Sequence, residues 1–163
     1  MDTKILWAPW RSEFVLAQKE EGCPFCKAFD AKRDSIRNLV VHRGKTCIVI
    51  LNKYPYNSGH AMVVPKRHLA DLCELTADEN NEMFSLVRKT VSVLADVIHP
   101  HSFNIGMNLG ESSGAGIPEH LHMHIVPRWN GDTSFMMVLG KTKVVSVPLV
   151  AVYGKIKKGF SKA

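Results

Sequence analysis

Within residues 119–129, whose sequence is EHLHMHIVPRW, polar and apolar residues alternate from His120 to Ile125, and Val126 continues the apolar run. This period of two is typical of a half-buried strand, in which successive side chains point to opposite faces of the sheet. The pattern therefore predicts a strand that presents His120, His122 and His124 on one face. Imidazoles at alternate positions of a strand lie about 6.6 Å apart, and the outer two lie about 13 Å apart. Zinc binds an imidazole nitrogen at about 2.0–2.1 Å, so an adjacent pair can share one ion but all three cannot. We expect the three histidines to do at least two different jobs.

Two further apolar runs predict a hairpin near the middle of the chain. Residues 45–52 (KTCIVILN) form one run, and residues 60–65 (HAMVVP) form another that ends at Pro65. The intervening YPYNSG is rich in residues that favour turns. Short connections join antiparallel strands, so the two runs are predicted to pair side by side.

The clearest predicted helix begins at Thr76. Thr76 and Glu79 match the capping box, in which each side chain bonds to the backbone N–H of the other residue. Apolar residues then recur at helical spacing: Met83, Phe84, Val87, Val91, Leu94 and Ile98. Pro100 ends this pattern, which predicts one long helix.

The remaining patterns complete the predicted fold. Residues 11–22 (RSEFVLAQKEEG) predict a short helix closed by Gly22, and residues 102–110 (SFNIGMNLG) predict a strand before a glycine-rich loop. Residues 135–150 (FMMVLGKTKVVSVPLV) add one or two strand-like pieces of unassigned pairing. The order helix, hairpin, long helix, hairpin favours an α+β domain with a mainly antiparallel sheet and a long helix packed on it.

Length and charge set the broad class of the protein. The 163 residues suit one domain over residues 1–148 and a basic C-terminal tail over 149–163, in which GKIKKGFSKA holds four lysines and no acidic residue. The net charge of +6 is partly due to this tail, and it suits an anionic partner such as a nucleotide. No apolar run reaches the roughly 18 residues of a membrane span, and the first residues lack a signal-peptide core. A cytoplasmic location is therefore expected.

The four cysteines fall into two groups. In a reducing cytosol structural disulfides are not expected, and Cys47 and Cys73 lie in apolar settings where a thiol acts as a small hydrophobic group. Cys23 and Cys26 form a Cys-x-x-Cys pair, which alone indicates a redox pair, half of a zinc site or two ordinary thiols. A zinc site needs two further ligands, which histidines must supply. The candidates are His42, His60, His68, His99, His101 and the three histidines of the predicted strand.

A second candidate site combines the histidine strand with His60 and the glycine-rich loop 110–116. Neutral imidazole is a good nucleophile and a general acid or base near neutral pH. Glycines let backbone N–H groups approach an anion closely. Together these groups suit attack on phosphorus, where catalysis is mostly positioning and charge stabilisation. The alternatives are a metal hydrolase that chelates its ion through His-x-His, and a solvated stripe of histidines without chemistry.

The motif HLHMHIV matches the pattern His-φ-His-φ-His-φ-φ, in which φ is apolar. In this motif the chain resembles the histidine triad family of nucleotide hydrolases and transferases. Three more segments agree with the family in order and spacing: LNKYPYNSGHAMVVPKRH, FNIGMNLG and HIVPRWNGD. The opening WAPWR, CPFC and HLHMHIVPRW look most like the bacterial branch similar to diadenosine tetraphosphate phosphorylases, also called ATP adenylyltransferases. The resemblance extends over about residues 7–132.

The resemblance implies an enzyme with a covalent intermediate. His122 would be the nucleophile that attacks the α-phosphorus of an adenine nucleotide or dinucleoside polyphosphate, and His124 and His60 would bracket that phosphate. The nucleotidyl group would then pass to water in a hydrolase or to inorganic phosphate in a phosphorylase. Phosphorolysis or hydrolysis of diadenosine tetraphosphate is the expected reaction. The alternatives are a nucleoside phosphoramidase, an adenylyl-sulfate hydrolase and a nucleotide-binding module without turnover.

The resemblance also assigns contacts to the substrate. Asn52 matches a position that contacts ribose, and Asn108 matches an amide that contacts phosphate or the leaving group. Gly116 belongs to the loop expected to bind phosphate. Trp129 and residues 135–147 would help to form the site from the C-terminal side, although Trp129 also suits a plain role in the core.

In zinc-containing members of the family, the first triad histidine shares a zinc ion with a Cys-x-x-Cys pair and with the histidine of a Pro-x-x-His segment. Here those residues are His120, Cys23, Cys26 and His68. A site with four protein ligands has no open position, so this zinc would be structural. Family members are usually homodimers whose sheets join across the interface. A homodimer is therefore expected, with neither nucleic acid nor membrane as a partner.

Overall fold

A computed structural model describes residues 22–132 and 147–163 of the chain. Its strands are β1 (Val40–Arg43), β2 (Cys47–Leu51), β3 (Ala61–Pro65), β4 (Ser102–Gly106) and β5 (Met123–Arg128). They form one sheet in the order β1-β2-β3-β5-β4, with every neighbouring pair antiparallel. The α-helices of the described residues are α1 (Pro24–Asp30), α2 (Ala77–Ile98) and α3 (Leu149–Lys162). The predicted α+β fold with a mainly antiparallel sheet is confirmed.

The predicted central hairpin is formed by β2 and β3. Every residue of both strands is buried, which explains why their sequences are continuously apolar and do not alternate. Their register runs from the pair Cys47 and Pro65 to the pair Leu51 and Ala61. The short strand β1, which the sequence patterns did not predict, pairs with the other edge of β2.

The long helix α2 begins at the predicted capping box. The hydroxyl of Thr76 accepts the backbone N–H of Glu79 at 3.3 Å, and the Glu79 carboxylate accepts the N–H of Thr76 at 2.9 Å. At the other end His99 adopts a left-handed conformation with φ of 48°. The helix packs on β2, β3 and β5 through its buried face. Phe84, predicted to belong to that face, is instead 54% exposed.

The histidine strand is shorter than its sequence pattern predicts. The alternation begins at His120, but β5 begins only at Met123. His124 therefore lies in the strand, whereas His120 and His122 lie in irregular backbone just before it. The prediction that one strand face carries all three histidines is wrong for the first two.

The end of the neighbouring strand explains this early break. β3 pairs with β5 as far as Val63 and Met123. Two residues further along β3 is Pro65, which has no backbone N–H to donate to a partner strand. The backbone N–H of Leu121 donates instead to the carbonyl of Leu69, at 2.7 Å. The chain thus leaves the sheet although its apolar alternation continues.

Other predicted elements are shortened or lie outside the described residues. The strand predicted over 102–110 ends at Gly106, and β4 is an edge strand paired with β5. Of the predicted helix over 11–22 the structure describes only Gly22, and residues 135–146 of the predicted strand-like pieces are also outside the described part. Among the described segments no helix is long and apolar enough to cross a membrane.

The C-terminal segment, expected to be a basic tail, is the packed helix α3. Its apolar residues Val152, Ile156 and Phe160 recur every fourth position and are buried against α2 and β1. The hydroxyl of Tyr153 also donates to the carbonyl of Val40, at 3.1 Å. The lysines obscure this apolar stripe in the sequence, because they occupy the other faces of the same helix. The division of the chain at residue 148 stays a prediction.

Candidate active site and metal centre

Four side chains with metal-binding atoms converge next to the start of β5. Their ligand atoms all lie within 4.8 Å of one another. The sulfur of Cys23 is 3.2 Å from Nδ1 of His120, and the sulfur of Cys26 is 3.3 Å from Nδ1 of His68. The two imidazole nitrogens are 3.2 Å apart. The four residues expected to share a zinc ion are therefore brought together.

The spacing and chemistry of this donor set fit zinc. Bond lengths of about 2.3 Å to sulfur and 2.0–2.1 Å to nitrogen put neighbouring donors of a tetrahedral site about 3.3–3.8 Å apart. The sulfur-to-nitrogen and nitrogen-to-nitrogen distances in this cluster are 3.2–3.7 Å for four of its donor pairs. Two thiolates and two imidazoles complete the four-ligand shell of a structural zinc, with no position left for water. This cluster is suited to holding the fold together and not to activating a nucleophile.

Hydrogen bonding orients the buried ligand of this cluster. His120 is fully buried, and its Nε2–H donates to the carbonyl of Pro65 at 2.9 Å. This bond leaves the lone pair on Nδ1, which is the atom that faces Cys23. Burial also lowers the pKa of His120, which favours the neutral ring that a metal requires. The same proline that ends β3 thus sets the tautomer of His120.

A second cluster contains the three histidines predicted to act on phosphorus: His60, His122 and His124. The ring centroids of His122 and His124 are 4.7 Å apart, and those of His60 and His124 are 5.1 Å apart. His60 comes directly before β3 and His124 lies in the adjacent strand β5, so the antiparallel pairing brings them together. The structure therefore gathers all three residues predicted to act on phosphorus.

His122 is held with one ring nitrogen available. Its Nδ1–H donates to the backbone carbonyl of His120 at 2.8 Å, which leaves the lone pair on Nε2. The side chain is almost fully buried, and burial lowers its pKa, so the ring is neutral near pH 7. A neutral imidazole with a free Nε2 is the nucleophilic form of histidine.

A chain of hydrogen bonds sets the tautomers of the other two histidines. The backbone N–H of Tyr56 donates to Nδ1 of His60 at 3.1 Å, so the proton of His60 is on Nε2. That Nε2–H lies 2.9 Å from Nδ1 of His124 and donates to it. The proton of His124 is consequently on its own Nε2. Burial lowers the pKa of His60 to about 3 and that of His124 to about 4, so both rings are neutral near pH 7.

The turn before β3 positions His60 through its backbone. Gly59 has φ of 77°, and a Cβ there would come within 2.5 Å of an α2 side chain, so glycine fits where other residues do not. The N–H of His60 donates to the carbonyl of Asn57 at 3.0 Å. The Asn57 amide donates in turn to the carbonyl of Pro127 at 2.9 Å and to the Asp132 carboxylate at 2.7 Å. The turn is thereby tied to the end of β5.

A cavity of about 340 Å³ opens beside His124, between β4 and the turn that precedes β3. Its lining includes Asn108, one of the predicted substrate contacts. It also includes Tyr56, whose ring is 53% exposed with its centroid 4.7 Å from that of His60. The remaining lining residues are Asn104, Ile105, Gly106, Met107, Val126 and Arg128. The cavity therefore reaches the histidine cluster through His124, and its lining is a mixture of polar and apolar residues.

Three other residues predicted to contact the substrate do not line this cavity. The side chain of Asn52 accepts the backbone N–H of Tyr54 at 2.9 Å, within the turn before β3. Gly116 is exposed, and a Cβ built there meets no atom within 4 Å. The indole N–H of Trp129 donates to the carbonyl of His99 at 3.1 Å, at the end of α2. Within this chain Trp129 joins two elements, and its contact with a substrate stays a prediction.

Two residues of the site were not singled out from the sequence. Tyr56 lies in the segment predicted to form a turn, and Phe25 lies between the two cysteines of the Cys-x-x-Cys pair. Phe25 is buried and its ring lies against those of both His120 and His122. A large apolar residue inside a Cys-x-x-Cys pair is visible in the sequence, but the rings that it contacts depend on the fold.

Comparisons with known proteins agree with this geometry. The family model described as HIT domain matches residues 33–131, more than half of the chain. The AP-4-A phosphorylase of Mycobacterium tuberculosis is 40% identical over 147 residues, which cover 86% of this chain and 75% of that protein. An asymmetrical bis(5'-nucleosyl)-tetraphosphatase of Schizosaccharomyces pombe is 36% identical over 99 residues, which cover 61% of this chain and 54% of that protein.

A solved structure has the same fold. The Zn-bound histidine triad family protein of Mycobacterium smegmatis superposes with a TM-score of 0.70, covering 86% of this chain and 94% of that chain at 22% identity. At this identity the likeness concerns the fold alone. The sequence relatives, the family model and the paired histidine clusters give one answer, and the chain belongs to the HIT domain family.

Proposed function

We propose that the protein cleaves the α-phosphate linkage of adenine nucleotides and dinucleotides through a covalent nucleotidyl adduct on His122. The observation that carries this proposal is the state of the His122 ring, which is buried, neutral and bonded through Nδ1 to a carbonyl, with Nε2 available. Binding a nucleotide does not require a buried histidine with a free nitrogen. Nucleophilic attack on phosphorus requires an available lone pair, which the free Nε2 of a neutral imidazole supplies.

In the first step, Nε2 of His122 attacks the α-phosphorus while the bond to the bridging oxygen breaks. The polyphosphate leaves with the electron pair of that bond. The attacking ring keeps its proton on Nδ1, so the adduct is a cationic ring whose N–H still donates to the carbonyl of His120. That carbonyl dipole stabilises the positive charge as it develops. The Nε2–H of His124, next to the cavity, is the donor for a phosphate oxygen.

In the second step, an acceptor oxygen attacks the same phosphorus, the bond to His122 breaks, and the proton lost by a water acceptor passes to the solvent. Water as the acceptor gives AMP, and inorganic phosphate gives ADP. Because the ring leaves as neutral imidazole, His122 returns to its starting tautomer without a separate base for Nδ1. The neutral His60 and His124 avoid placing a further cation beside the cationic adduct.

The substrate class is inferred from the relatives. Proteins named AP-4-A phosphorylase and bis(5'-nucleosyl)-tetraphosphatase both act on a dinucleoside tetraphosphate. The first of these covers most of this chain at 40% identity, which favours diadenosine tetraphosphate as the substrate and phosphate as the acceptor. Asn108 at the cavity is assigned to phosphate or the leaving group, and Asn52, Gly116 and Trp129 complete the proposed substrate contacts.

Zinc is proposed at the first cluster, held by Cys23, Cys26, His68 and His120. When bound, it would supply a structural cross-link between α1, the segment after β3 and the segment before β5, with no open position for chemistry. These ligands also fix the backbone carbonyl of His120, to which the nucleophile donates. We further propose a cytoplasmic homodimer, whose edge strands would extend the sheet.

Product analysis tests the reaction. The protein is incubated with diadenosine tetraphosphate, with and without inorganic phosphate, and the nucleotides are separated by ion exchange. ADP together with ATP, formed only when phosphate is present, is the expected result. AMP together with ATP irrespective of phosphate would assign the hydrolase on the same nucleophile. Turnover only of phosphoramidates or adenylyl sulfate would assign the protein to a different substrate class. Binding without any turnover would refute the proposal.

A further inference from the structure

Phe25 lies between the two cysteines of the metal cluster and touches the ring of His122. Its ring centroid is 5.1 Å from that of His122 at an interplanar angle of 54°, and 5.4 Å from that of His120 at 84°. Both separations are within the range of direct aromatic contact. Phe25 is only 3% exposed and belongs to the main hydrophobic core. One buried side chain therefore contacts both a metal ligand and the proposed nucleophile.

The position of His122 in the chain makes this contact important for the orientation of its ring. Its backbone lies before β5, so the hydrogen bonds of the sheet do not hold it. The ring is restrained instead by its bond to the carbonyl of His120, by the ring of His124 on one side and by Phe25 on another. Among the hydrogen bonds and ring contacts of the described residues, loss of Phe25 would leave the bond to His120 and the ring of His124 to set the direction of Nε2.

The helix that carries Phe25 is itself anchored at both ends. Cys23 and Cys26, at its N-terminal end, belong to the metal cluster. At its C-terminal end, the guanidinium of Arg43 donates to the carbonyls of Ala28 and Phe29, at 2.8 Å and 2.9 Å. A ring mounted on an element fixed in this way acts as a rigid wall for its neighbour.

We propose that Phe25 is a positioning residue that keeps Nε2 of His122 aimed at the α-phosphorus, and that it thereby connects the metal cluster to the rate of adduct formation. This inference rests on the proposed function. Replacing Phe25 by leucine removes the flat wall and leaves space into which the imidazole can turn. Misplacement of a reacting group by about 1 Å costs up to about 100-fold in rate. Since Phe25 does not line the cavity, KM should be unchanged.

The chain offers a matched control on the same helix. Phe29 stacks on His120 with centroids 6.3 Å apart, and the described contacts give it no ring interaction with His122. Phe25→Leu and Phe29→Leu thus make the same chemical change beside the same metal ligand. They differ in whether the nucleophile loses a neighbour.

The experiment compares wild type, Phe25→Leu, Phe25→Met, Phe29→Leu and His122→Ala. Single-turnover formation of the nucleotidyl adduct, KM and zinc per chain are measured for each. The ¹⁵N spectrum of the labelled imidazoles reports whether His122 remains in the single Nδ1–H tautomer. We expect adduct formation about 10- to 100-fold slower in Phe25→Leu. Its KM and zinc content should match those of wild type, and its His122 should populate mixed tautomers. Phe29→Leu should resemble wild type in every measurement.

Two results would overturn the inference. One is an adduct rate and a His122 spectrum in Phe25→Leu that match those of Phe29→Leu. The other is loss of zinc from both Phe25→Leu and Phe25→Met, because Phe25 would then serve only the metal cluster. A wild-type protein that turns over nucleotide without an adduct, or binds it without turnover, would instead refute the proposed function. The tautomer spectrum would still report on the contact between Phe25 and His122.

Discussion

A methyl group added to α3 at Gly159 would press into α2. The new Cβ would lie 2.7 Å from a methyl carbon of Val93 and 3.1 Å from one of Val97. Val93 is 2% exposed, and a β-branched side chain in a helix has one strongly preferred rotamer, so it cannot turn aside. Gly154 provides the control, because it lies in the same helix and a Cβ there meets nothing within 4 Å.

The two substitutions should therefore have opposite effects on the free energy of unfolding. Alanine replaces glycine in a helix interior with a gain of about 0.8–1.0 kcal/mol, so Gly154→Ala should stabilise the protein by about that amount. Gly159→Ala gains at most as much and incurs an overpacking cost of about 1–3 kcal/mol. The gap between the variants, about 1–3 kcal/mol, is the cost of the contact with α2.

Urea unfolding followed by far-ultraviolet circular dichroism measures both values. Trimming the neighbour by Val93→Ala should reduce the cost of Gly159→Ala by about 1 kcal/mol or more, since the two sites are in contact. Equal stabilisation by Gly154→Ala and Gly159→Ala would refute the packing of α3 on α2. The C-terminal segment would then be the detached basic tail that its lysines suggest.

Three further predictions concern charge and metal. Glu82 accepts hydrogen bonds from the hydroxyl of Thr46 and the backbone N–H groups of residues 45–47, and these outweigh its burial and lower its pKa to about 2. The ionised Glu82 carboxylate contributes fully to the free energy of unfolding above pH 4.5, and this contribution is lost as the pH falls towards 2. At pH 7, Glu82→Gln should lower the free energy of unfolding in urea by about 2–4 kcal/mol. A variant as stable as wild type would contradict these bonds. The low pKa values of His60 and His124 mean that the unfolded chain binds protons first, so stability should fall as the pH drops from about 6.5 towards 4. His124→Asn should flatten this slope in unfolding curves across that range, and an unchanged slope would argue against a buried neutral ring. Protein purified without added metal should contain about one zinc per chain, and chelation should abolish activity only as fast as the fold is lost, as followed by circular dichroism. Immediate loss of activity from folded protein would indicate a catalytic metal.

Local signals in the sequence were sufficient for α2 and the central hairpin. Thr76 and Glu79 cap the helix through contacts three residues apart, and the capping box acts in the same way in any fold. The strands β2 and β3 are buried throughout, so a continuous apolar run is enough to identify each. A sequence pattern can predict a helix or strand when the residues that determine it lie close together in the chain.

The start of β5 depends on Pro65, which is distant in the sequence. The alternation around His120 and His122 continues, but the strand does not, because the adjacent position of β3 is a proline and its carbonyl bonds to His120. For the same reason the tautomers could not be predicted. They depend on backbone groups of Tyr56 and Pro65 that only the fold brings near the rings.

The four residues of the candidate metal cluster were predicted through resemblance and not through spacing. Cys23 and His120 are separated by 97 positions, so no local pattern connects them, and spacing alone left several histidines as candidates. The structure selects His68 and His120 because His68 follows β3 and His120 precedes β5, and the antiparallel pairing of these strands brings both histidines to the same end of the sheet. The contact of Phe25 with His122 was missed because it is a property of two packed segments.

Trapping the intermediate tests the central claim most directly. The protein is mixed with diadenosine tetraphosphate in the absence of phosphate, denatured within one turnover at alkaline pH and analysed by intact mass and peptide mapping. We predict a mass increase of one adenylyl group, located on His122, that disappears on addition of acceptor before denaturation and is absent from His122→Ala. Turnover by wild type without any adduct, an adduct on another residue, or full activity of His122→Ala would contradict the covalent mechanism.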